Sequence, residues 1–136
     1  MDIKQYTLKL KYQVGELSEV TRVLAHDGVN ILGLYAREVE EYAIVRMVVD
    51  DAVKAERLFR ENGIEHEPTA GLLVLMAHTP GALHLVTEAL AGEGIGIIYL
   101  YLVVMTDGHV GVAFKLDELE DGYNMLKNKG INVQIL

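Results

Sequence analysis

The residue types that carry out chemistry are few in this 136-residue chain. The absence of cysteine excludes disulfides, thiolate nucleophiles and cysteine-ligated metal sites. Ser18 is the only serine, and it lies at a predicted helix start where capping explains it. No two of the five histidines are four residues apart, and none follows a Glu-x-x-His spacing. We therefore predict no catalytic residue and no metal site; the histidines are His26, His66, His78, His84 and His109.

The glycine-rich segment and the net charge argue against two further classes of ligand, dinucleotides and nucleic acids. The segment Gly92-Glu93-Gly94-Ile95-Gly96 follows a predicted helix and opens a strand, which is the reverse of a dinucleotide-binding loop. The chain has 12 basic and 20 acidic residues, and the resulting net charge of −8 disfavours binding to the phosphate backbone of nucleic acid. No apolar run approaches the roughly 18 residues that span a bilayer. We expect a cytoplasmic protein with no cofactor, no nucleic-acid partner and no membrane association.

Two loops between a strand and a helix are the best candidates for a binding site. They are Tyr12-Gln13-Val14-Gly15-Glu16 and His78-Thr79-Pro80-Gly81-Ala82. Each presents free amides at a helix N-terminus, where the helix dipole favours a carboxylate, and each has a glycine that allows close approach. A plain tight turn into a helix explains each loop equally well.

A second candidate position follows the first helix. Asn30 stands where its side chain could bond a ligand amine or carboxylate, or simply tie the loop. In the second half of the chain the same place is taken by Gly96, so the two potential sites are not chemically equal. Tyr35 and Tyr101 could line a pocket, although an aromatic core or interface position is the more common use.

An internal repeat relates these positions. Shifting the sequence by 66 residues superimposes residue types and preserves the order of elements, which indicates a duplicated module. The matched pairs include Gly15 and Gly81, Leu17 and Leu83, Val20 and Val86, Leu24 and Leu90, Gly28 and Gly94, Leu34 and Leu100, Tyr35 and Tyr101, and Asp51 and Asp117.

Hydrophobic periodicity predicts strand–helix–strand–strand–helix–strand in each module. In the first, Asp50 or Asp51 is expected to cap the second helix; in the second, Asp117 with Glu120 resembles a capping box. Asp107-Gly108 is expected to form a hairpin turn with positive φ. The predicted strands are 3–12, 29–39, 42–49, 64–67, 72–77, 95–105, 110–116 and 131–136, and residues 65–69 are the predicted linker between domains 1–66 and 69–136.

The predicted fold class is α+β. It consists of two ferredoxin-like βαββαβ units, each an antiparallel four-stranded sheet with helices on one face, packed as a pseudo-dimer. The strand from Ile97 to Val104 is apolar at every residue and would favour aggregation as an uncovered edge. We therefore expect that the second strands of the two modules meet or that a second chain covers them.

These residues resemble the ACT domain, a small ligand-binding module, as two tandem copies over essentially the whole chain. The resemblance depends on the turns Val14-Gly15 and Pro80-Gly81, on the helix pattern from Leu17 to Gly28 and its repeat from Leu83 to Gly94, and on the strand entry Gly28-Val29-Asn30-Ile31. The chain is similar to stand-alone tandem ACT proteins that carry no catalytic domain.

The resemblance implies a non-catalytic regulatory protein that binds an amino acid or a similar small metabolite between ACT units. It further implies a homodimer and an enzyme regulated in trans. By position in the ACT pattern, the loop of one unit and the second strand of its neighbour provide the ligand-binding residues: Gln13, Val14, Gly15, Asn30, His78, Thr79, Pro80, Gly81 and Gly96. The first copy lacks the proline and the second lacks the asparagine, so one site could be degenerate.

Two alternatives stay open from the sequence. One is a structural assembly module whose pockets bind nothing. The other is an enzyme, because ferredoxin-like folds also host catalysis. An acylphosphatase-like mechanism would require an arginine in the first loop to hold phosphate, and residues 13–17 contain none.

Overall fold

Alternating apolar residues and glycine breaks divide the described part of the chain into eight strands and four helices. A computed structural model describes residues 2–136. It separates into two compact units, and the division falls between Thr69 and Ala70. The elements are β1 (Lys4–Lys11), α1 (Glu16–His26), β2 (Ile31–Val39), β3 (Tyr42–Val49), α2 (Ala52–Glu61), β4 (His66–Pro68), β5 (Leu72–Ala77), α3 (Ala82–Gly92), β6 (Ile97–Val104), β7 (His109–Leu116), α4 (Leu119–Asn128) and β8 (Asn132–Ile135).

Each unit is a βαββαβ fold with one antiparallel four-stranded sheet. The strand order is β2-β3-β1-β4 in the first unit and β6-β7-β5-β8 in the second. All the strand pairs are antiparallel, and the first and third strands of each unit occupy the centre. This is the predicted ferredoxin-like architecture, duplicated.

The core of each unit forms where alternate strand residues meet the apolar faces of its helices. In the first unit, Leu8 and Val45 share a fully buried cluster with Leu24 of α1 and Phe59 of α2. In the second unit, Val74 and Val112 pack with Leu90 of α3 and Leu126 of α4. The period of two in the strands and the helical spacing in the helices produce these faces.

The distance between equivalent residues of the two units increases from 66 to 67 across the hairpin that joins the second and third strands. Leu8 and Val74 are equivalent at a distance of 66 residues, but their partners Val45 and Val112 are 67 residues apart. The second hairpin therefore holds one more residue than the first. Its turn contains Asp107 and Gly108 with φ of 61° and 73°, which confirms the predicted turn.

This register change corrects the predicted helix caps. Asp51 caps α2, since its side chain accepts a hydrogen bond from the Lys54 amide at 3.1 Å. In the second unit, the cap position of α4 is Glu118, with no side-chain cap bond, so the predicted capping box of Asp117 and Glu120 is wrong. Asp117 instead corresponds to Asp50.

Three other predictions differ from the structure. The short strand predicted at 64–67 forms instead at residues 66–68, within the predicted linker, and Glu67 of this β4 pairs with Thr7 of β1. Residues 29 and 30 precede β2, because Gly28 has φ 74° and the Val29 amide still bonds to the Leu24 carbonyl of α1. Ser18 lies inside α1 rather than at its cap, which is Gly15. Among residues 2–136, no helix has both the length and the apolar character needed to cross a membrane.

Candidate functional site

The loop between β1 and α1 is held by backbone hydrogen bonds. The Tyr12 amide donates to the Glu41 carbonyl at 3.0 Å, and the Glu16 amide donates to the Gln13 carbonyl at 3.3 Å. Gly15, at the N-cap, has φ 94°, a conformation that side-chain-bearing residues rarely adopt. No side chain caps α1, so its first turn presents backbone amides outward.

The loop between β5 and α3 has the same backbone conformation. The His78 amide donates to the Gly108 carbonyl at 3.1 Å, and the Ala82 amide donates to the Thr79 carbonyl at 3.2 Å. Gly81 has φ 88°, and α3 also lacks a side-chain cap. A Cβ atom added at Gly15 or Gly81 would meet nothing within 4 Å, so both corners are open to a ligand.

The charge around the two loops differs. The first turn of α1 carries Glu16 and Glu19, whereas the first turn of α3 carries no acidic residue. Negative side chains at a helix N-terminus already occupy the favourable field of the dipole and repel a further carboxylate. The loop from His78 to Gly81 is therefore electrostatically the better acceptor of an anionic group.

An open cleft lies beside the first loop. Its volume is about 490 Å³, and it includes Gln13 together with both residues of the β2–β3 turn. Lys9 lies nearby on β1, with its Nζ 4.0 Å from the centroid of the Tyr42 ring. The lining residues are Lys11, Tyr12, Gln13, Glu40, Glu41 and Tyr42.

Asn30 is held by its backbone just before β2 begins. Its amide donates to Asp50 Oδ1 at 2.9 Å, and the Asp50 amide donates back to the Asn30 carbonyl at 3.1 Å. Gly96 and Asp117 repeat this reciprocal pair, with both distances 3.0 Å. These bonds use only the backbone of Asn30, so its exposed side chain is available for other contacts.

The two aspartates are the residues that sequence reasoning missed. Asp50 was considered only as a helix cap, and Asp117 was matched with Asp51 at the constant repeat distance. A Cβ atom at Gly96 would lie 2.5 Å from Asp117 Oδ2, so the carboxylate fills the space that a side chain would need. The useful signal was an aspartate directly after the third strand of each unit.

Within one unit, the structure does not bring the two groups of predicted residues together. Tyr12 bonds to Glu41, just before β3 begins, while Asn30 bonds to Asp50, just after β3 ends. Eight strand residues separate these ends, which corresponds to roughly 25 Å at about 3.3 Å per residue. One small ligand therefore cannot contact both groups of a single unit.

The corner beside Asn30 is closed by ion pairs in the first unit. Arg57 Nη2 lies 3.1 Å from Asp27 Oδ2, and Lys54 Nζ donates to the Asp27 carbonyl at 3.2 Å. A hydrogen bond with His26, followed by the one from Arg57, holds the pKa of Asp27 below its usual range. The matching corner of the second unit has Asp121 and Asn124 in place of the two cations.

The fold and its two repeated loops define a tandem of ferredoxin-like units with open helix N-termini. The family model described as ACT domain pair matches residues 1–133, and the chain belongs to that family. Both the architecture and the family resemblance drawn from the sequence are thereby confirmed.

Solved structures show the same pair of units. Protein BT0572 from Bacteroides thetaiotaomicron is 28% identical, with a TM-score of 0.85 over 97% of this chain and 91% of that one. The ligand-free regulatory subunit of aspartate kinase from Thermus thermophilus is 17% identical, with a TM-score of 0.58 over 93% and 91% of the two chains.

Aspartate kinase from Clostridium acetobutylicum is 18% identical, with a TM-score of 0.50, and the match covers 93% of this chain but 32% of the kinase. The likenesses to the two aspartate kinase proteins, from Thermus thermophilus and Clostridium acetobutylicum, show the fold alone. Among curated proteins, none matches this chain.

Proposed function

We propose that the protein is a non-catalytic regulatory protein that binds an amino acid or a similar small metabolite. The observation that carries the proposal is the pair of open loops with the same backbone conformation, each with an αL glycine and an uncapped helix N-terminus. A side-chain cap would satisfy one of the free amides at each helix N-terminus, and neither α1 nor α3 has one. Membership in the ACT domain pair family supports the same conclusion.

In this proposal a ligand carboxylate accepts hydrogen bonds from the first-turn amides of one unit. The contacting loop residues are Gln13, Val14 and Gly15 in the first unit, or His78, Thr79, Pro80 and Gly81 in the second. A second ACT unit supplies its strand entry, at Asn30 or Gly96. The Asn30 side chain can accept from an α-amino group or donate to a carboxylate, whereas Gly96 offers only its backbone.

The regulatory effect follows from the same geometry. A ligand that contacts two ACT units favours the arrangement of units in which both contacts are made. Its effect on a partner cannot exceed its differential affinity for the arrangements, typically about 1–3 kcal/mol. The structural likeness to a regulatory subunit of aspartate kinase is consistent with an output of this kind, in which the regulated enzyme is a separate chain.

Thermal unfolding in the presence of each of the twenty amino acids tests the proposal. A ligand at a hundredfold excess over its Kd is expected to add about 2.7 kcal/mol to the free energy of unfolding. In a chain of this size such a gain raises Tm by several degrees. If no amino acid or related metabolite raises Tm, the binding function is wrong and an assembly module with non-binding pockets takes its place.

Asn30→Ala locates the site once a ligand is found. Because the backbone of Asn30 makes the bonds to Asp50, the variant is expected to fold normally and to lose most of the ligand-induced rise in Tm. Asn132→Ala is the matched control, since Asn132 is an exposed asparagine at the start of β8. Equal ligand-induced shifts in the two variants would show that Asn30 does not contact the ligand.

A further inference from the structure

An open cleft of the second unit lies at the C-terminal end of α3 and runs along α4. Its volume is about 640 Å³, which is within the range of small-molecule sites. On the α4 side it is lined by Glu118, Asp121, Met125 and Asn128. This spacing follows one face of the helix over about 15 Å, at about 1.5 Å per residue. The loop residues 78–81 and Gly96 are not among those that line the cleft, so it is separate from the proposed amino-acid site.

Negative charge dominates this cleft. Three carboxylates line it, those of Glu93, Glu118 and Asp121, against the single ammonium group of Lys129. Among residues 2–136, none of these three carboxylates forms an ion pair. The last turn of α3, which ends at the cleft, carries no basic residue, so the negative end of the helix dipole is not neutralised there. These charges together favour a cationic ligand.

The corresponding corner of the first unit shows which groups such acceptors bind in this chain. Lys54 Nζ donates a hydrogen bond to the Asp27 carbonyl at 3.2 Å and lies 3.9 Å from Asp51 Oδ2. Arg57 Nη2 lies 3.1 Å from Asp27 Oδ2. The end of α1 and the start of α2 therefore hold an ammonium group and a guanidinium group together.

The second unit retains the acceptors of that corner and lacks its two cations. Glu93 and Glu118 occupy the positions of the two aspartates, at the C-cap of α3 and at the N-cap of α4. Asp121 and Asn124 stand where the first unit has its lysine and its arginine. An aspartate in place of a lysine removes the internal ammonium group and adds a third carboxylate. The acceptors of this corner are consequently open to a cation from outside the chain.

We propose that this cleft binds a linear aliphatic diamine or polyamine. One ammonium group of the ligand donates hydrogen bonds to the Glu93 carbonyl and to the Glu118 carboxylate, in the manner of the lysine in the first unit. A second ammonium group pairs with the Glu93 carboxylate, in the manner of the arginine. Asp121, which lines the same cleft, adds an attraction that the first unit lacks. This proposal does not depend on ligand binding at the two loops.

The apolar part of the cleft suits the hydrocarbon chain of such a ligand. Ile95, with an exposed fraction of 8%, and the half-buried Met125 both line the cleft. An alkyl segment that lies on these two side chains removes apolar surface from water, whereas a hydrated metal ion gains nothing from them. Two ammonium groups joined by an alkyl segment can therefore meet carboxylates from both helix ends while the segment covers the apolar part between them.

Spermidine is the probe, titrated into isotope-labelled protein and followed by NMR at about 0.15 M salt, where exposed charges act over only about 8 Å. The amide signals of Gly94 and Ile95 are expected to shift saturably. Those of Gly28 and Val29, their counterparts in the first unit, are expected to change little, because internal cations already occupy that corner. Butylamine, with one ammonium group, is expected to bind about tenfold more weakly. Butylamine or Mg²⁺ binding as tightly as spermidine would contradict the proposed ligand class.

The double variant Asp121→Lys/Asn124→Arg tests the site, because it gives the second unit the two cations of the first. Its affinity for spermidine is expected to fall about tenfold, since internal cations then occupy the corner. Glu120→Lys/Gln134→Arg is the matched control, because it raises the net charge by the same amount at exposed positions outside the cleft, and it is expected to bind nearly as the wild type does. The amide spectrum shows whether each variant is folded. Equal affinities of the two variants, equal shifts in both units, or no saturable shift with millimolar spermidine would overturn the proposal.

Discussion

The two β–α loops have the same backbone and different surroundings. Their hydrogen bonds match one for one, and Gly15 and Gly81 differ in φ by only a few degrees. Beside the first loop stand Glu16 and Glu19, while the second loop has no acidic neighbour in its helix turn. The backbone of the duplicated module is therefore preserved, while its charges have diverged, so the backbone alone would not distinguish the two loops as candidate anion sites.

The corners at the ends of α1 and α3 also share a fold and differ in their charged residues. The corner at the end of α1 is closed by Lys54 and Arg57 against Asp27. The corner at the end of α3 is an open cleft of about 640 Å³ whose lining includes Glu118 and Asp121. The cations Lys54 and Arg57 are replaced by Asp121 and Asn124 without a change of fold.

Packing beneath α4 offers the largest expected effect. Gly122 of α4 and Leu116 occupy the positions that Ala55 and Val49 occupy in the first unit. A Cβ atom at Gly122 would lie 2.4 Å from Leu116 Cδ1. Gly122→Ala is therefore expected to lower the free energy of unfolding by up to about 2 kcal/mol, measured by urea denaturation, because the overpacking cost of about 1–3 kcal/mol is offset by the roughly 1 kcal/mol that alanine gains in a helix.

The double variant Gly122→Ala/Leu116→Val is the control, because it reproduces the pair found in the first unit. We expect it to be more stable than Leu116→Val alone, since alanine is the better helix former by about 1 kcal/mol. If Gly122→Ala by itself stabilises the chain, Leu116 does not occupy the space that a side chain at position 122 needs.

The two corner glycines are expected to respond equally. Gly15→Ala and Gly81→Ala each force a side chain into the left-handed region, at a cost of about 1–2 kcal/mol. Thermal unfolding measures both, and Gly92→Ala, within α3, provides a control at a glycine without positive φ. A cost at one corner only would mean that the two loops do not share a conformation in solution.

The helix caps are expected to respond unequally. Asp51→Ala removes the side-chain bond to the Lys54 amide, so it is expected to cost about 1 kcal/mol of unfolding free energy. Glu118→Ala, at the matching position of α4, removes no such bond and is expected to change stability little. Chemical denaturation of both variants gives the comparison, and equal losses would remove the distinction between the two caps.

The smallest effect concerns the closed corner. Hydrogen bonds with His26 and Arg57 lower the pKa of Asp27 below its ordinary value of 3.8. A lowered pKa in the folded state gives stability that is full above the unfolded value and is lost as pH falls through the folded one. Arg57→Gln is expected to raise the pKa of Asp27 toward 3.8, as followed by NMR of its carboxyl group.

Arg22→Gln is the control for that titration. Arg22 hydrogen-bonds to Glu19 within α1, the helix that Asp27 follows as its C-cap, and it lowers the pKa of Glu19 instead. The control is expected to leave the titration of Asp27 unchanged. An unchanged midpoint in Arg57→Gln would show that the ion pair is not formed in solution.

The sequence was sufficient to predict the fold because local signals agreed with one another. Apolar periodicity placed the strands and helices, and glycines such as Gly28 and Gly94 marked helix ends, where φ is indeed positive. The last strand of the first unit was predicted at 64–67 but forms at His66–Pro68, because its three residues gain their structure from pairing with β1 rather than from any pattern of their own. Short edge strands depend on tertiary partners.

Less of the candidate site than of the fold could be predicted from the sequence. Loop positions followed from Gly15 and Gly81, but the partnership of Asn30 with Asp50 joins residues twenty positions apart. A constant repeat distance also assigned Asp117 to the wrong counterpart. Long-range hydrogen bonds and small insertions change which residues meet without changing the hydrophobic pattern from which the fold was predicted.

The extra residue in the β6–β7 turn has a practical use in protein engineering. One of the two halves has already accepted added length there, at an exposed hairpin tip around Asp107 and Gly108, and its sheet has kept its pairing. Exposed tips of this kind tolerate inserted sequence best. A peptide tag or a fluorescent domain is accordingly best introduced between these two residues, where it can serve as a reporter.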